Sequence, residues 1–433
     1  MKPIRDRRSR PLTGRVSVPG DKSISHRALM LAALAAGTST IEGLNDGADV
    51  TATATAVTAL GAGVLQPDRS ARVEVEGWGD RGPVEPVATI DAGNSGTTAR
   101  ILLGLLASVD GHCSVTGDES LKRRPMLRVV APLRAMGAVI DGRAHGDLLP
   151  LAVRGGELEG RDHELAVASA QVKSALLLAG MHASGSTAVT EPGDSRDHTE
   201  NMLRASGVDI EVTDRTVRIA GGQRPVAMHW DVPGDISSAM YLIVAAVLLR
   251  GSDLMIDGVG LNPKRSTALD VLKRMGADLA IDPTSEASGE PRGEIHVRSS
   301  TLQACTVDAS DVPRLIDEIP VLAIAASQAE GDSAFHGVGE LRTKESDRLA
   351  AIVEGLRGLG GEAEAAGDTL FVRGPRKLSG GIVDSGGDHR MAMAFAVAGL
   401  VSSASIRING WSCVQTSFPT FLDLLGTAQA GGR

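Results

Sequence analysis

Residues 16–43 read VSVPGDKSISHRALMLAALAAGTSTIEG, a short strand and a polar loop followed by a helix that is apolar nearly all round. The same plan recurs in five more segments, which begin at Ile90, Leu165, Trp230, Val307 and Ile382. The N-terminal end of a helix offers free N–H groups and the positive end of the helix dipole. Because Lys, Arg, Ser or Asn precedes several of these six helices, the pattern predicts a protein that binds anions.

The composition narrows the class of protein. At 433 residues the chain is long enough for two or three domains. Aromatic residues make up only 2%, so the cores must be aliphatic and base stacking is not expected. The net charge of −9 argues against nucleic-acid or membrane-surface partners. Three widely spaced cysteines fit a cytoplasmic protein, and the longest apolar run is too short to span a bilayer.

Each repeat is about seventy residues long and predicts the order β-α-β-α-β-β. The second helix is amphipathic and ends at a glycine corner, for example LGAGV at Leu60 and MGADL at Met275. The first helix has no polar face, which is typical of a core helix. Three buried helices in each of two similar α/β domains account for the six repeats, whereas a TIM barrel would need eight units.

The polar loops differ in chemistry. Lys22, Ser23 and Arg27 stand at a helix start, where basic side chains oppose the dipole unless an anion binds there. The fourth loop, DVPGDISSAMYL, has no basic residue and is expected to be structural. Asp317 and Glu345 lie beside apolar core residues and are either acid–base groups or ordinary solvated or ion-paired carboxylates. We find no metal-ligand spacing such as H-E-x-x-H.

Eight motifs together resemble one family. In chain order they are GDKSISHRALMLAALA, GNSGTTAR, GDESLKRRPM, SAQVKSALLLAG, SRDHTE, LIDEIP, ELRTKESDR and GGDHRMAMA, the order found in 5-enolpyruvylshikimate-3-phosphate synthases. The resemblance covers essentially the whole chain. It implies the enolpyruvyl transferase fold, an inside-out α/β barrel in each of two domains. The expected domains are residues 21–228, and residues 1–20 with 229–433.

The resemblance implies transfer of the enolpyruvyl group of phosphoenolpyruvate to the 5-hydroxyl of shikimate 3-phosphate. It implies a monomer that uses no cofactor and no metal. Matching by motif assigns shikimate 3-phosphate to Lys22, Ser23, Arg27, Ser169, Gln171, Arg196, Asp317 and Lys344. It assigns phosphoenolpyruvate to Lys22, Gly96, Arg124, Gln171, Arg348 and Arg390. Asp317 is the expected base, Glu345 the expected acid, and Lys22 is expected to assist the leaving phosphate.

The match has one departure. Many family members have a lysine two residues before the Phe-Pro near the C-terminus, but here Thr416 stands in that place. With SAQVKSA and SRDHTE, this looks like the branch often called class II. We expect residues 1–10 to be mobile.

Two alternatives remain. The first is UDP-N-acetylglucosamine enolpyruvyl transferase, which shares the fold of the family that this sequence resembles. Its signature has Lys-Asn in the first loop and a catalytic cysteine in a Cys-x-x-Gly-x-Arg-Pro loop. A non-catalytic phosphosugar-binding paralogue would keep the anion-binding residues and lose a catalytic carboxylate. Cys113 lies in an apparent strand and both carboxylates are present, so the sequence favours the synthase.

Overall fold

The structure is a computed structural model, and it describes residues 2–3, 10–66 and 72–432. The expectation of mobility for residues 1–10 falls mostly outside these ranges. The strands are β1 (Lys2–Pro3), β2 (Thr13–Ser17), β3 (Thr38–Glu42), β4 (Gly63–Leu65), β5 (Val73–Glu76), β6 (Ile90–Asp91), β7 (His112–Thr116), β8 (Val139–Gly142), β9 (Leu148–Arg154), β10 (Asp162–Glu164), β11 (Ser186–Thr190), β12 (Ile210–Thr213), β13 (Thr216–Ala220), β14 (His229–Asp231), β15 (Asp253–Gly260), β16 (Asp278–Ala287), β17 (Glu290–Arg298), β18 (Thr306–Val307), β19 (Gly331–Phe335), β20 (Glu362–Ala366), β21 (Thr369–Gly374), β22 (Gly381–Asp384) and β23 (Ile406–Asn409).

Helices alternate with these strands in the predicted order through repeats one to five, apart from the short additional helices α5 and α10. They are α1 (Lys22–Leu34), α2 (Ala48–Ala59), α3 (Gly96–Leu106), α4 (Leu127–Ala135), α5 (Arg143–Gly146), α6 (Ala170–His182), α7 (His198–Ala205), α8 (Ile236–Leu248), α9 (Thr267–Arg274), α10 (Val312–Leu315), α11 (Ile319–Gln328), α12 (Arg348–Gly358), α13 (His389–Val401) and α14 (Phe421–Gln429). The predicted mixed α/β class is confirmed.

The described chain forms two compact units. Unit N comprises Gly20–Val232 and Glu286–Glu290, and unit C comprises the described parts of Met1–Pro19, Pro233–Ser285 and Pro291–Arg433. The sequence placed these boundaries after residues 20 and 228. It gave no sign that the tip of the β16–β17 hairpin groups with unit N, where Glu290 Oε1 lies 2.8 Å from His198 Nδ1.

Unit N has three four-stranded sheets, with strand orders β14-β3-β5-β4, β6-β7-β9-β8 and β10-β11-β13-β12. The first strand pair in each order is parallel and the other pairs are antiparallel, so each repeat builds the same mixed sheet. Unit C has sheets β16-β17-β15-β2, β18-β19-β21-β20 and β1-β23-β22. The sixth repeat departs from the predicted plan, because α14 stands where the other repeats have a hairpin and β1, from the other end of the chain, pairs antiparallel with β23.

Two strands belong to the unit opposite to their own repeat. β2 precedes the first repeat's helix in sequence but pairs in parallel with β15 of unit C. β14 precedes the fourth repeat's helix but pairs in parallel with β3 of unit N. The chain therefore crosses between units directly after each of these strands, at Pro19–Gly20 and Val232–Pro233.

The core helices α1, α3 and α6 in unit N, and α8, α11 and α13 in unit C, are buried over nearly their whole lengths. Except for α11, they begin two to four residues earlier than their apolar runs suggest. The reason is capping: Asp21 Oδ1 accepts a hydrogen bond from Ile24 N at 2.9 Å, and Ser95, Ser169, Asp235 and Asp388 cap their helices in the same way. Residues expected in the loops, Lys22 and Ser23 among them, therefore lie in first helical turns.

The glycine corners have the expected conformation. Gly61 and Gly276 follow the C-termini of α2 and α9 with φ of 94° and 91°. A positive φ lets the chain leave a helix through the left-handed region, which side chains with a Cβ disfavour. At these corners the chain leaves the amphipathic helix and enters the next strand of the sheet.

Candidate active site

The predicted site residues divide between the two units. Unit N carries eight of them, Lys22, Ser23, Arg27, Gly96, Arg124, Ser169, Gln171 and Arg196, and unit C carries Asp317, Lys344, Glu345, Arg348 and Arg390. In unit N they belong to the N-terminal ends of α1, α3 and α6 and to the loops before α4 and α7.

Lys22 begins α1 and is mostly buried. Its Nζ lies 3.0 Å from Asp49 Oδ2 on α2, a carboxylate to which the sequence assigned no role. This pairing balances a cation that the helix dipole disfavours at this end. An ion pair with a neighbouring helix thus positions Lys22 without any contribution from a substrate.

Arg27 lies one turn further along α1 and is buried. Its Nε donates to Thr199 Oγ1 at 2.6 Å and its Nη2 to Ser174 Oγ at 2.7 Å, so it links α1 to α7 and α6. Burial lowers the pKa of Arg27 to about 10, which leaves it protonated at neutral pH. Arg27 therefore has a packing role in addition to its predicted ligand contact.

Ser23, Arg196 and Ser169 are predicted to meet the same substrate. The structure brings Ser23 and Arg196 together, since Arg196 Nη1 donates to Ser23 Oγ at 3.5 Å. Ser169 caps α6, and its backbone N donates to Glu191 Oε1 at 2.9 Å. Glu191 lies just after β11 and was not singled out by the sequence.

Gly96, Arg124 and Gln171 are assembled around a residue that sequence reasoning missed. Arg100 Nη1 donates to Gln171 Oε1 at 2.8 Å, across the facing helices α3 and α6. A Cβ on Gly96 would lie 2.8 Å from Arg100 Nη1 and 3.2 Å from Arg124 Nη1. Two guanidinium groups thus converge beside a position without a side chain, which leaves room for a small anion. Arg100 stands in the quoted motif GNSGTTAR, which was the available signal.

In unit C, Asp317 lies between two arginines. Its Oδ1 is 3.1 Å from Arg348 Nη1, and its Oδ2 is 3.5 Å from Arg390 Nη2. Arg348 Nη2 also lies 2.5 Å from Glu345 Oε2. Of the two interpretations left open for Asp317 and Glu345, the structure shows both carboxylates ion-paired with Arg348. Four predicted residues from three separate motifs therefore form one cluster.

Arg348 is the centre of that cluster and is almost fully buried. Its Nε donates to Asp388 Oδ2 at 2.7 Å, and Asp388 is also the cap of α13. Burial lowers the pKa of Arg348, but Asp388 and the other carboxylates raise it further, and the net pKa lies above its ordinary value. Arg348 is thus a permanent cation fixed to the start of a core helix.

The fourth repeat contributes to this region although its loop has no basic residue. Ser237 in the first turn of α8 donates to the buried Glu318, and Arg265 Nη1 donates to the same oxygen at 3.1 Å. Because Glu318 directly follows Asp317, this buried network fixes the backbone next to Asp317. Neither Arg265 nor Ser237 was identified as a site residue from sequence.

Lys344 and Thr416 complete the comparison with the predicted site. Burial lowers the pKa of Lys344, whose Nζ lies 3.7 Å from Glu340 Oε2. Thr416, in the position of the family's lysine, donates its hydroxyl to Cys413 O at 2.7 Å. The threonine therefore closes a local turn and supplies no cation there.

The cysteine chemistry of the alternative transferase finds little support. Cys113 lies within β7 and is fully buried, and burial raises the pKa of its thiol to about 11, which is unlike a loop cysteine acting as an acid. Among residues 2–3, 10–66 and 72–432 we find no group of three or more His, Cys, Asp or Glu placed to hold a metal ion. In the same part of the chain, no helix is long and apolar enough to cross a membrane.

Comparison with known proteins gives one consistent result. Residues 7–425 match the family model of EPSP synthase (3-phosphoshikimate 1-carboxyvinyltransferase). The chain is 50% identical over 420 residues to a 3-phosphoshikimate 1-carboxyvinyltransferase of Synechococcus sp. (strain JA-3-3Ab), covering 96% of this chain and 94% of the relative. It is 48% identical to that of Desulforamulus reducens, covering 96% of each chain.

Solved structures agree with the sequence comparison. The chain resembles the structure of EPSP synthase from Acinetobacter baumannii with a TM-score of 0.86 and 41% identity, over 97% of this chain and 96% of that one. The match confirms the enolpyruvyl transferase fold that the resemblance implied. On the family model, the relatives and the fold together, this chain belongs to the EPSP synthase (3-phosphoshikimate 1-carboxyvinyltransferase) family.

Proposed function

We propose that this chain transfers the enolpyruvyl group of phosphoenolpyruvate to the 5-hydroxyl of shikimate 3-phosphate, releasing phosphate, as a step of aromatic amino-acid biosynthesis. The observation that carries this most directly is the cluster in unit C. It combines two carboxylates, Asp317 and Glu345, with guanidinium groups suited to anions. Membership of the family supplies the identity of the two substrates.

The charge of the substrates fits the residues assigned to them. Two phosphates and two carboxylates together carry about −5 to −6 at neutral pH. Unit N offers Lys22, Arg27, Arg124 and Arg196, and unit C offers Lys344, Arg348 and Arg390. These seven cations are the groups assigned to both ligands, and Asp49, Asp317, Glu345 and Asp388 offset part of their charge. We assign shikimate 3-phosphate and phosphoenolpyruvate to the residues given in the sequence analysis.

Asp317 and Glu345 perform the proton transfers in this proposal. Asp317 accepts the proton of the 5-hydroxyl while that oxygen forms a bond to C2 of phosphoenolpyruvate. Glu345 donates a proton to the methylene carbon, which makes C2 electrophilic. In the second half of the reaction the C2–phosphate bond breaks, Lys22 stabilises the departing phosphate, and the methyl group returns a proton to a carboxylate.

The shared partner of these carboxylates offers a way to couple binding to chemistry. Arg348 holds Glu345 in an ion pair, and Arg348 is also assigned to phosphoenolpyruvate. A bound substrate carboxylate would compete for this guanidinium and weaken its hold on Glu345. Loss of a nearby positive charge favours the protonated form of a carboxyl group, which is the form that the first proton transfer needs.

The direct test is phosphate release from the purified protein with both substrates, with each substrate omitted in turn. Release only when shikimate 3-phosphate is the acceptor supports the proposal. Release with UDP-N-acetylglucosamine instead would favour that transferase, and binding of both ligands without release would favour the non-catalytic paralogue.

A matched pair of variants tests the role of Asp317. Asp317→Asn should lower kcat by about 10²–10⁴ because the base is lost, while shikimate 3-phosphate still binds. Asp308→Asn, the same change at an exposed position of the same repeat, should leave kcat unchanged. Equal activity of Asp317→Asn and the wild type would remove Asp317 from the mechanism.

We also propose a cytoplasmic monomer. All three cysteines are free thiols, which fits a reducing compartment. Size-exclusion chromatography with light scattering should give a mass near 45 kDa, since the chain mass is 44.7 kDa. A mass twice as large would replace the monomer with a dimer.

A further inference from the structure

A buried lysine on α6 holds together the elements that carry the predicted shikimate 3-phosphate ligands of unit N. Lys173 Nζ lies 2.6 Å from Glu191 Oε2 and 2.7 Å from Glu200 Oε1. All three side chains are at most 5% exposed. The proposed mechanism uses none of them, and burial of such charges is costly unless they are paired, as they are here.

The three charges come from three different elements. Lys173 is in the first turn of α6, Glu191 follows β11, and Glu200 is in the first turn of α7. Burial lowers the pKa of Lys173, but Glu200 and Glu191 raise it more, so the net pKa lies above its ordinary value. The ammonium group therefore stays charged at neutral pH and links α6 to both partners.

Glu191 passes this constraint on to the ligand-binding residues. Its Oε1 accepts a hydrogen bond from the backbone N of Ser169, at 2.9 Å. Its Oε2, the same oxygen that meets Lys173, accepts a hydrogen bond from Ser195 Oγ at 2.8 Å. Ser169 is itself a predicted substrate ligand, and Ser195 directly precedes Arg196, another one.

Glu200 differs from Glu191 in this respect. Its Oε1 meets the lysine, whereas its Oε2 is buried and has no hydrogen-bond partner among the described residues. The two glutamates thus pair with the same lysine, carry the same charge and are buried to nearly the same extent. Only Glu191 is hydrogen-bonded to Ser169 and Ser195.

We propose that the Lys173–Glu191 ion pair positions Ser169 and the Ser195–Arg196 segment for recognition of shikimate 3-phosphate. The inference rests on the proposed function, because shikimate 3-phosphate is the ligand it invokes. Lys173 touches no reacting atom. It acts through Glu191, which sets where the α6 cap and the loop before α7 stand.

The experiment compares the same conservative change in the two glutamates. Glu191→Asp keeps the charge but withdraws the carboxylate by one methylene, so it cannot span Lys173, Ser169 and Ser195 together. It should weaken binding of shikimate 3-phosphate, measured by calorimetry without phosphoenolpyruvate, at least tenfold. Glu200→Asp, the matched control, should change that affinity less than threefold. KM for phosphoenolpyruvate should change less than threefold in both variants.

A difference of less than threefold between the two variants would overturn the proposal, because it would make the glutamates equivalent structural partners. Lys173→Met is a harsher test that leaves two buried carboxylates unpaired and can prevent folding, so the aspartate pair decides the matter. The wild-type protein is titrated first. If it does not bind shikimate 3-phosphate, the proposed function fails; if it binds and Glu191→Asp binds equally well, only the positioning role fails.

Discussion

Core helices α3 and α6 of unit N pack closely at Gly104, and replacing this glycine with alanine should disturb both stability and substrate binding. A Cβ on Gly104 of α3 would lie 2.1 Å from the backbone oxygen of Ala175 on α6. Cβ atoms do not come closer than 3.0 Å to other heavy atoms, so the helices would have to separate by about 0.9 Å. Neither atom belongs to a flexible side chain that could move away.

The separation would reach the candidate site because the clash is one helical turn from it. Arg100 precedes Gly104 by four residues and Gln171 precedes Ala175 by four, so this pair lies on the same facing surfaces. Their hydrogen bond of 2.8 Å would lengthen to about 3.7 Å, beyond a useful hydrogen bond. The bond from Gln171 Nε2 to Thr97 Oγ1, now 3.0 Å, would weaken in the same way.

The free energy of unfolding of unit N should fall by about 3 kcal/mol. Overpacking costs about 1–3 kcal/mol. Loss of the two hydrogen bonds adds about 0.5–1.5 kcal/mol each, and the better helix propensity of alanine returns about 1 kcal/mol. KM for phosphoenolpyruvate should rise as well, because Gln171 is one of its assigned ligands.

The assay is urea unfolding followed by tryptophan fluorescence. Two of the three tryptophans, Trp78 and Trp230, are buried in unit N, so the signal reports mainly on that unit. The matched control is Gly156→Ala, after β9 in the same unit, where a Cβ meets no atom within 4 Å and the free energy of unfolding should change by at most about 1 kcal/mol. An unfolding midpoint for Gly104→Ala equal to that of the wild type would refute the argument from helix contact.

Three further predictions concern the site, acid stability and thiol reactivity. Gly96→Ala should raise KM for phosphoenolpyruvate about tenfold in steady-state assays, because its Cβ would lie 2.8 Å from Arg100 Nη1 and take up the space beside the guanidinium groups; an unchanged KM would show that the substrate does not approach this residue. Burial holds the pKa of His26 well below its ordinary value of 6.5, so below pH 6.5 the unfolded chain binds the extra proton and the folded chain does not. Stability should therefore fall as the pH drops, by up to about 1.4 kcal/mol per pH unit, and His26→Gln should reduce that slope in urea unfolding. Burial raises the pKa of Cys113 and of Cys413 to about 11. At pH 8, iodoacetamide should therefore alkylate these two thiols about 100-fold more slowly than a thiol of pKa 9.0, as followed by peptide mass spectrometry. Alkylation of the folded protein as fast as that of the protein unfolded in urea would contradict this.

Local patterns in the sequence were sufficient to predict the repeats. The apolar run after Lys22 predicts a core helix because no polar face remains for solvent, and the structure shows that helix buried. The glycine corner at Gly61 predicts a helix end because its positive φ is a local property of the backbone. The residues assigned to substrates came from motif order, and their roles await the experiments above.

Contacts between distant residues were not accessible in this way. Arg100 stood in a quoted motif, yet nothing in the motif shows that its guanidinium meets Gln171, 71 residues further along. Ser237 belongs to the segment DVPGDISSAMYL, expected to be structural, and nothing in that segment shows that it donates to Glu318, 81 residues away. A sequence pattern predicts where a helix starts, but it does not show which other helix start lies next to it in the fold.

The sequence by itself determined the six repeats, the α/β class and the buried helices, because periodicity and capping act over a few residues. Only the tertiary structure decided that β2 and β14 complete sheets of the opposite unit, that Arg348 gathers Asp317, Glu345 and Asp388, and that Lys173 joins Glu191 to Glu200. Burial is the physical reason for the difference. A charged side chain in a core must find an opposite charge wherever the fold brings one, and that partner is set by packing and not by distance along the chain.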